Sequence, residues 1–409
     1  MRLAVWMLAV RLYAQGPGVG EPWRVEALQR IERLRKADVK VEVTDARGRP
    51  VKGAQVRLQM KRHAFGWGSA VAAQMLLADT PDSEKYRAFV LDNFNSVVFE
   101  NDLKWPQWEQ NRQRALEGIQ WMRDHGITRI RGHNLVWPSW RWLPKDLRGL
   151  EDDPGAMRRR VMDHIKDEIS ATRGLVPDWD VLNEPYTNHD VMDILGAGEM
   201  AAWFKQAREF DPAAKLFLND FNIIEAKGLD TEHQNHFFET LRFVRERGAP
   251  LDGVGIQGHF REPTPPERML KILDRFGSLG LPIHITEFDF DTKDEAAQAQ
   301  FTRDLLMACF SHPKVDAFLM WGFWEGRHWR PNGAMVRRDW SPKPNYEVWR
   351  ELVFGKWWTD EKGPTNADGV FHRRAFLGDY DIEVTHGGRT GKAAAPVGPG
   401  GSTVKVVLN

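Results

Sequence analysis

The sequence predicts an α/β protein, a (β/α)8 barrel accompanied by a small all-β sandwich assembled from both chain ends. Three observations carry this expectation. Between residues 64 and 356, eight short apolar runs recur with helical pattern between them, as repeated βα units require, and eight such units close a barrel. Nearly every run ends in a polar or ionisable side chain. Such groups are costly inside a packed lumen but belong on the C-terminal rim, where barrel enzymes keep their sites. Outside that stretch the texture changes to alternation of apolar and polar residues, the period of strands with one buried face.

Taken in order, residues 1–14 (MRLAVWMLAVRLYA) have a basic start, a short apolar stretch and a small residue at Ala14. That is the shape of a secretory signal, interrupted by Arg11. Residues 22–63 form the N-terminal part of the sandwich. Pro22 opens a helix with Val25, Leu28, Ile31 and Leu34 on one face, and a hairpin follows. In it Val39, Val41 and Val43 alternate before a DARGRP turn, and Ala54, Val56, Leu58 and Met60 alternate after it. The barrel occupies 64–356, with runs AFGWGSA, SVVFE, TRIRGHNLVW, WDVLNE, KLFLND, DGVGIQGH, PIHITEFD and DAFLMWGF. The tail, 357–409, reads as strands in GVFHRRAF, DYDIEV and VKVVL, with GKAAAPVGPGG a loop. Neither end buries enough to be stable alone, so the two are expected to share one core of Val39, Val41, Val43, Tyr380, Ile382 and Val384. VTDARGRPVKGAQVRLQM and TNADGVFHRRAFLGDYDIEV resemble the two halves of a transthyretin-like or carboxypeptidase regulatory-like β-sandwich.

Composition narrows the function. Lys+Arg and Asp+Glu are equal at 57 each, without a run of basic residues, which argues against a grip on nucleic acid or an anionic membrane. Beyond the N-terminus no stretch approaches the roughly 20 apolar residues of a membrane span, and the chain is expected to be a soluble monomer with an uncharged partner. The lone Cys309 lies in an apolar run, where a buried bystander is expected. His233 and His236 share a helix face but lack a third ligand nearby, so neither a metal nor another cofactor is expected. Eighteen Trp against five Tyr supply flat apolar faces suited to sugar rings as well as to cores.

The rim residues define the chemistry. Glu100 and Asn101 follow the second run, His133 lies late in the third, and Asn183 and Glu184 end the fourth. Asn219 and Asp220 end the fifth, Gln257 and His259 the sixth, Glu287 and Asp289 the seventh, and Trp321 the eighth. Glu184 and Glu287, three strands apart, face each other across the barrel mouth. Two carboxyls over a Trp-rich cleft are the minimal equipment for glycoside hydrolysis, one as acid and the other as nucleophile or base.

WDVLNEP (179–185), ITEFD (285–289), GHNLVW (132–137), ENDLKW (100–105), NDFN (219–222) and GIQGH (255–259) together resemble the strand-end motifs of glycoside hydrolase family 10, the retaining endo-β-1,4-xylanases. The resemblance implies Glu184 as general acid/base and Glu287 as nucleophile, with Asn183, His259 and Asp289 in support. It implies that Glu100, Asn101 and Lys104 hydrogen-bond the glycone, and that His133, Trp137, Gln257, Trp321 and Trp329 line the site. The implied substrate is xylan or xylo-oligosaccharide, cleaved internally without cofactor outside the cytoplasm. Retention requires carboxyls about 5–5.5 Å apart. A barrel glycosidase acting on another β-glucan, or a carbohydrate-binding protein without catalysis, are the alternatives. Phe221 in place of the usual Tyr, Pro138 after Trp137, and the FWEGRHW loop (323–329) depart from the family pattern and bear on subsite detail.

Overall fold

The structure, a computed structural model, describes residues 21–409; the signal expected at residues 1–14 lies outside them. The described residues divide into two compact units: one takes Gly66–Phe301 and Lys314–Pro344, the other residues 21–65, Thr302–Pro313 and Asn345–Asn409. In the latter, helix Pro22–Leu34 starts with proline in its first turn, where the missing N–H costs nothing. Its buried stripe is Trp23, Ala27 and Ile31 with Arg24, while the expected Val25, Leu28 and Leu34 are half-buried. Trp23 is the largest apolar body on the helix, and the i, i+4, i+8 row that begins with it turns inward; Arg24 is neutralised by Asp304 at 2.8 Å. Two strands follow, β1 (Lys36–Asp45) and β2 (Gln55–His63).

The barrel strands are β3 (Gly66–Val71), β4 (Ser96–Phe99), β5 (Arg129–Val136), β6 (Asp178–Asn183), β7 (Lys215–Asp220) and β8 (Gly253–Ile256), then, after a two-residue β9 (His259–Phe260), β10 (Ile283–Phe290) and β11 (Val315–Met320). Each of the eight expected runs is one of these strands. They pair in parallel and in sequence order, and β11 returns to β3 from Ala317↔Gly66 to Met320↔Ser69, closing the barrel. β9 lies beside the end of β10, His259 against Asp289. Every residue of β3 and β10 is buried, as parallel strands covered on both faces demand. Glycines make room where large side chains point inward: a Cβ at Gly132 would lie 2.3 Å from the Trp179 ring, and one at Gly255 2.3 Å from Asn219 Oδ1. Thr80, Asp153 and Asp230 accept the N–H groups of Ser83, Ala156 and His233 and so cap three of the outer helices.

The tail supplies β12 (Asp360–Pro364), β13 (Val370–Phe376), β14 (Gly378–His386), β15 (Arg389–Val397) and β16 (Ser402–Leu408). They form two sheets with the N-terminal strands, β13–β1–β16 and β12–β2–β14–β15. The expected hairpin is therefore corrected. The DARGRP turn exists, with Arg47 and Arg49 N–H groups on Asp45 Oδ1 at 2.9 and 3.0 Å, but β1 and β2 enter different sheets. Alternation specifies which face is buried and is silent about which neighbour pairs. The GKAAAPVGPGG segment is corrected too: through Val397 it belongs to β15, joined to β14 by Gly387 and Gly388 at φ +54° and +78°. Two adjacent left-handed residues make the tight turn that matches strand twist. Val39, Val41, Val43, Tyr380, Ile382 and Val384 are all buried, and the Tyr380 hydroxyl donates to the Phe376 carbonyl at 2.6 Å.

Candidate active site

β6 ends at Asn183, and the backbone turns at Glu184 with φ of +54°, a region that costs any residue other than glycine. The turn is pinned by the Glu184 N–H on the Asn219 carbonyl at 2.9 Å and by the Asn188 N–H on the Glu184 carbonyl at 3.1 Å. Its side chain lines a cleft of about 820 Å³. There its oxygens meet neutral donors, Gln257 Nε2 at 2.7 Å on Oε1, and Asn188 Nδ2 at 3.1 Å and Trp137 Nε1 at 3.2 Å on Oε2. Burial pushes this carboxyl up to about 7; Gln257 opposes the shift, and the negative charges of Glu287 and Asp220 add to it.

Glu287 meets the opposite surroundings. Asn219 Nδ2 donates to its Oε1 at 2.8 Å, and His259 Nε2 faces its Oε2 at 3.2 Å. The other ring nitrogen of His259 lies 2.9 Å from Asp289 Oδ2, and Asp289 stands two residues along β10 from Glu287 on the same face. Trp329 Nε1 at 2.7 Å and Arg330 Nη1 at 3.1 Å also donate to Asp289. Burial alone would lower His259, yet the charge and hydrogen bond of Asp289, with Glu287 beyond, push it up to about 10. Burial alone would likewise raise Glu287, and His133 and His259 more than offset it, holding the carboxyl below its usual range. One cleft thus presents a carboxyl whose surroundings favour keeping its proton and another whose surroundings favour losing it.

Eleven of the thirteen expected residues line this cleft: Glu100, Asn101, Lys104, His133, Trp137, Glu184, Gln257, His259, Glu287, Trp321 and Trp329. Asn183 and Asp289 lie beneath it, fully buried. Asn183 Oδ1 accepts from Asn219 Nδ2 at 2.9 Å, and its own amide nitrogen has no protein partner. Lys104 donates to Asn101 Oδ1 at 3.0 Å and its ammonium sits 5.3 Å from the Trp137 ring and 5.9 Å from Trp321. Burial lowers it, with the charges of Glu287, Glu100 and Glu184 opposing. The two tryptophans divide: Trp321 packs with Ala70, Val98, Ala317 and Leu319, whereas Trp329 is 49% exposed. Phe221 also lines the cleft, edge-on to His233 at 4.8 Å. His233 faces Asp220 at 3.1 Å, and among the described residues no three His, Cys, Asp or Glu are grouped to hold a metal.

The sequence marks Asn219 only as a strand end, and it does not single out Glu225, Arg131, Asp180 or His284. Asn219 bridges Asn183 and Glu287. Glu225 accepts the N–H groups of Gly258 at 2.8 Å and His259 at 3.0 Å, fixing the segment whose side chains reach both glutamates. Beneath the cleft, His133 Nδ1 lies 2.9 Å from Asp180 Oδ2, Asp180 pairs with Arg131, Arg131 Nη1 lies 2.8 Å from His284 Nδ1, and His284 Nε2 lies 2.9 Å from Asp316. The available signal was a charge inside an apolar run, Arg131 in TRIRGH and Asp180 in WDVLNE, because buried charges require partners.

A closed barrel carrying two glutamates with oppositely shifted acidity along an aromatic cleft is the architecture of the barrel glycoside hydrolases. The particular family is glycosyl hydrolase family 10, to which the chain belongs: that family's profile matches residues 56–352. Among its relatives, the anti-sigma-I factor RsgI6 of Acetivibrio thermocellus is 34% identical over 379 residues, covering 91% of this chain and 48% of that protein. Endo-1,4-beta-xylanase 1 of Arabidopsis thaliana is 29% identical over 395 residues, covering 91% of this chain and 40% of the relative. The chain thus spans half or less of the length of these curated relatives, and both likenesses reach beyond the barrel into the chain ends. Among solved structures, xylanase 10B from Thermotoga petrophila, determined with xylobiose, superposes with a TM-score of 0.64 at 26% identity over 72% of this chain and 95% of that one.

Proposed function

We propose that the protein is a retaining endo-1,4-β-xylanase in which Glu287 is the nucleophile and Glu184 the general acid/base. The observation that carries this reading is that the two carboxyls of a single cleft have opposite partners, Glu287 held by the His259 and Asp289 chain and Glu184 met by the neutral donors Gln257, Asn188 and Trp137. Glu287 attacks the anomeric carbon while Glu184 protonates the departing glycosidic oxygen; Glu184, now ionised, then takes a proton from the water that releases the glycosyl-enzyme. His259 and Asn219 hold Glu287 by its two oxygens, leaving it charged and oriented. Gln257, Asn188 and Trp137 do the same for Glu184 without supplying a cation, so its proton stays available. Xylan and xylo-oligosaccharides are the substrates, and the enzyme acts as a monomer outside the cytoplasm, where such polymers are met. The sheets joined from both chain ends form one β domain interrupted by the barrel. Activity on purified xylan beside carboxymethyl cellulose tests the substrate: xylan alone should yield new reducing ends, and preference for the cellulose derivative would move the assignment to another β-glucan.

A further inference from the structure

We propose that Arg141 binds a carboxylate-bearing side group, a uronic acid substituent on the xylan main chain, where that chain leaves the catalytic pair. This rests on the xylanase reading above. The inference comes from following each cation that lines the cleft to its partner. Lys104 bonds Asn101 and lies in the field of Glu100, Glu184 and Glu287. Arg330 is committed to Asp289, His259 to Asp289 and Glu287, and His133 to Asp180. Arg141 and Arg261 line the same cleft and, among the described residues, neither has an ion pair. An unsubstituted xylan chain is neutral and asks for hydrogen bonds and ring faces rather than net charge. A guanidinium left unneutralised in such a cleft therefore fits an anionic group on the substrate.

The two arginines are not equivalent. Arg261 adjoins Glu262, a carboxylate of the same cleft that pairs with Lys227 at 2.8 Å, so its immediate surroundings already carry charge of both signs. Arg141 belongs to an aromatic wall. Its guanidinium lies 4.5 Å over the Trp142 ring, Trp142 stacks on Trp137 at 4.1 Å and 13°, and Trp137 donates to Glu184. The carboxylate bonded to this loop, Asp190, accepts the Trp140 N–H at 2.8 Å. Resting one face on an indole leaves the planar edge of the guanidinium open, and that edge matches a carboxylate with two parallel N–H donors. The stacked pair carries the site outward from the acid/base, so the acidic group sits on a sugar beyond the one being cleaved.

The test compares kcat/KM on a uronic-acid-substituted xylo-oligosaccharide with kcat/KM on the unsubstituted oligosaccharide of the same main-chain length, for the full chain and its variants. In Arg141→Gln the ratio of the two should fall about three- to tenfold, the scale of one partly exposed charge-assisted pair. Arg141→Lys should keep part of it. The wild-type ratio should also shrink in about 1 M salt, where screening acts within about 3 Å, a response that lost packing would not give. An unchanged ratio in Arg141→Gln, or a fall seen in Arg261→Gln instead, overturns the inference while leaving the xylanase reading in place. A wild type that cleaves neither oligosaccharide overturns both.

Discussion

Each barrel strand pairs with a strand one βα unit away, whereas β1 and β2 take every ladder partner from beyond residue 359, as far along the chain as Ser402 for Val39. Both regions obey the same rule of apolar faces turned inward. In the barrel, sequence order and spatial order coincide, so naming the strands also names their neighbours. In the chain-end sheets the two orders part, and long-range closure selects partners that local pattern does not indicate. The barrel rim further differs in what it spends stability on: a strained Glu184, a buried lysine and buried carboxyls with shifted acidity, against the apolar core of the sheets.

The largest effects should fall on the rim. Glu287→Ala should lower kcat by at least about four orders of magnitude on every substrate, the scale of losing a nucleophile. Glu184→Ala should lose xylan hydrolysis comparably yet keep appreciable glycosylation of an aryl xylobioside whose leaving group needs no protonation. Equal losses on the two substrates would contradict the division of roles. Deleting residues 357–409 tests the other region, because it removes β12–β16 and with them each ladder partner of β1 and β2. The truncated chain should aggregate or melt well below the intact one; an unchanged melting temperature would show that the joined sheets are not one cooperative domain.

A smaller effect follows from protonation. Activity should fall as pH rises through about 7, where Glu184 loses its proton, and should persist on the acid side to below the usual carboxylate range, because Glu287 stays ionised there. The stability linkage has a definite sign. The folded value of Glu184 lies above the ordinary 4.5, so the folded state keeps a proton that the unfolded state releases, and stability declines between those two pH values. Glu184→Gln should therefore raise the melting temperature more at pH 8 than at pH 4, and the reverse order would mean that the carboxyl is ionised at no cost. Smallest of all, Phe221→Tyr should change kcat/KM by less than about tenfold, the scale of one modest hydrogen bond; a hundredfold change would make this ring a determinant of the site's geometry.

The same contrast explains how far the molecule was legible beforehand. All eight barrel runs were readable because buried parallel strands are nearly continuous apolar stretches that end in the polar residues of the rim. Glu184 and Glu287 were readable as a pair, two strand-end carboxyls three βα units apart over a Trp-rich cleft, since either alone reads as an ordinary ion-pair partner. Asn219 sat in view at such an end, but an amide has many uses, and only its bonds to Asn183 and Glu287 distinguish it. Arg131, Asp180 and His284 satisfy one another inside the lumen, and pairing across strands leaves no local mark. The β15 strand was hidden by its Gly, Ala and Pro content; its pairing with β14 depends on the turn at Gly387 and Gly388 more than on side-chain bulk.

The central claim is double displacement on Glu287 with Glu184 as acid/base, and its most direct test is the anomeric configuration of the first product. Proton NMR of freshly cleaved xylo-oligosaccharide, recorded before mutarotation, should show the β-anomer growing first and the α-anomer appearing only afterwards. An initial α-anomer would mean single displacement by water, and the assignment of Glu287 as nucleophile would be wrong.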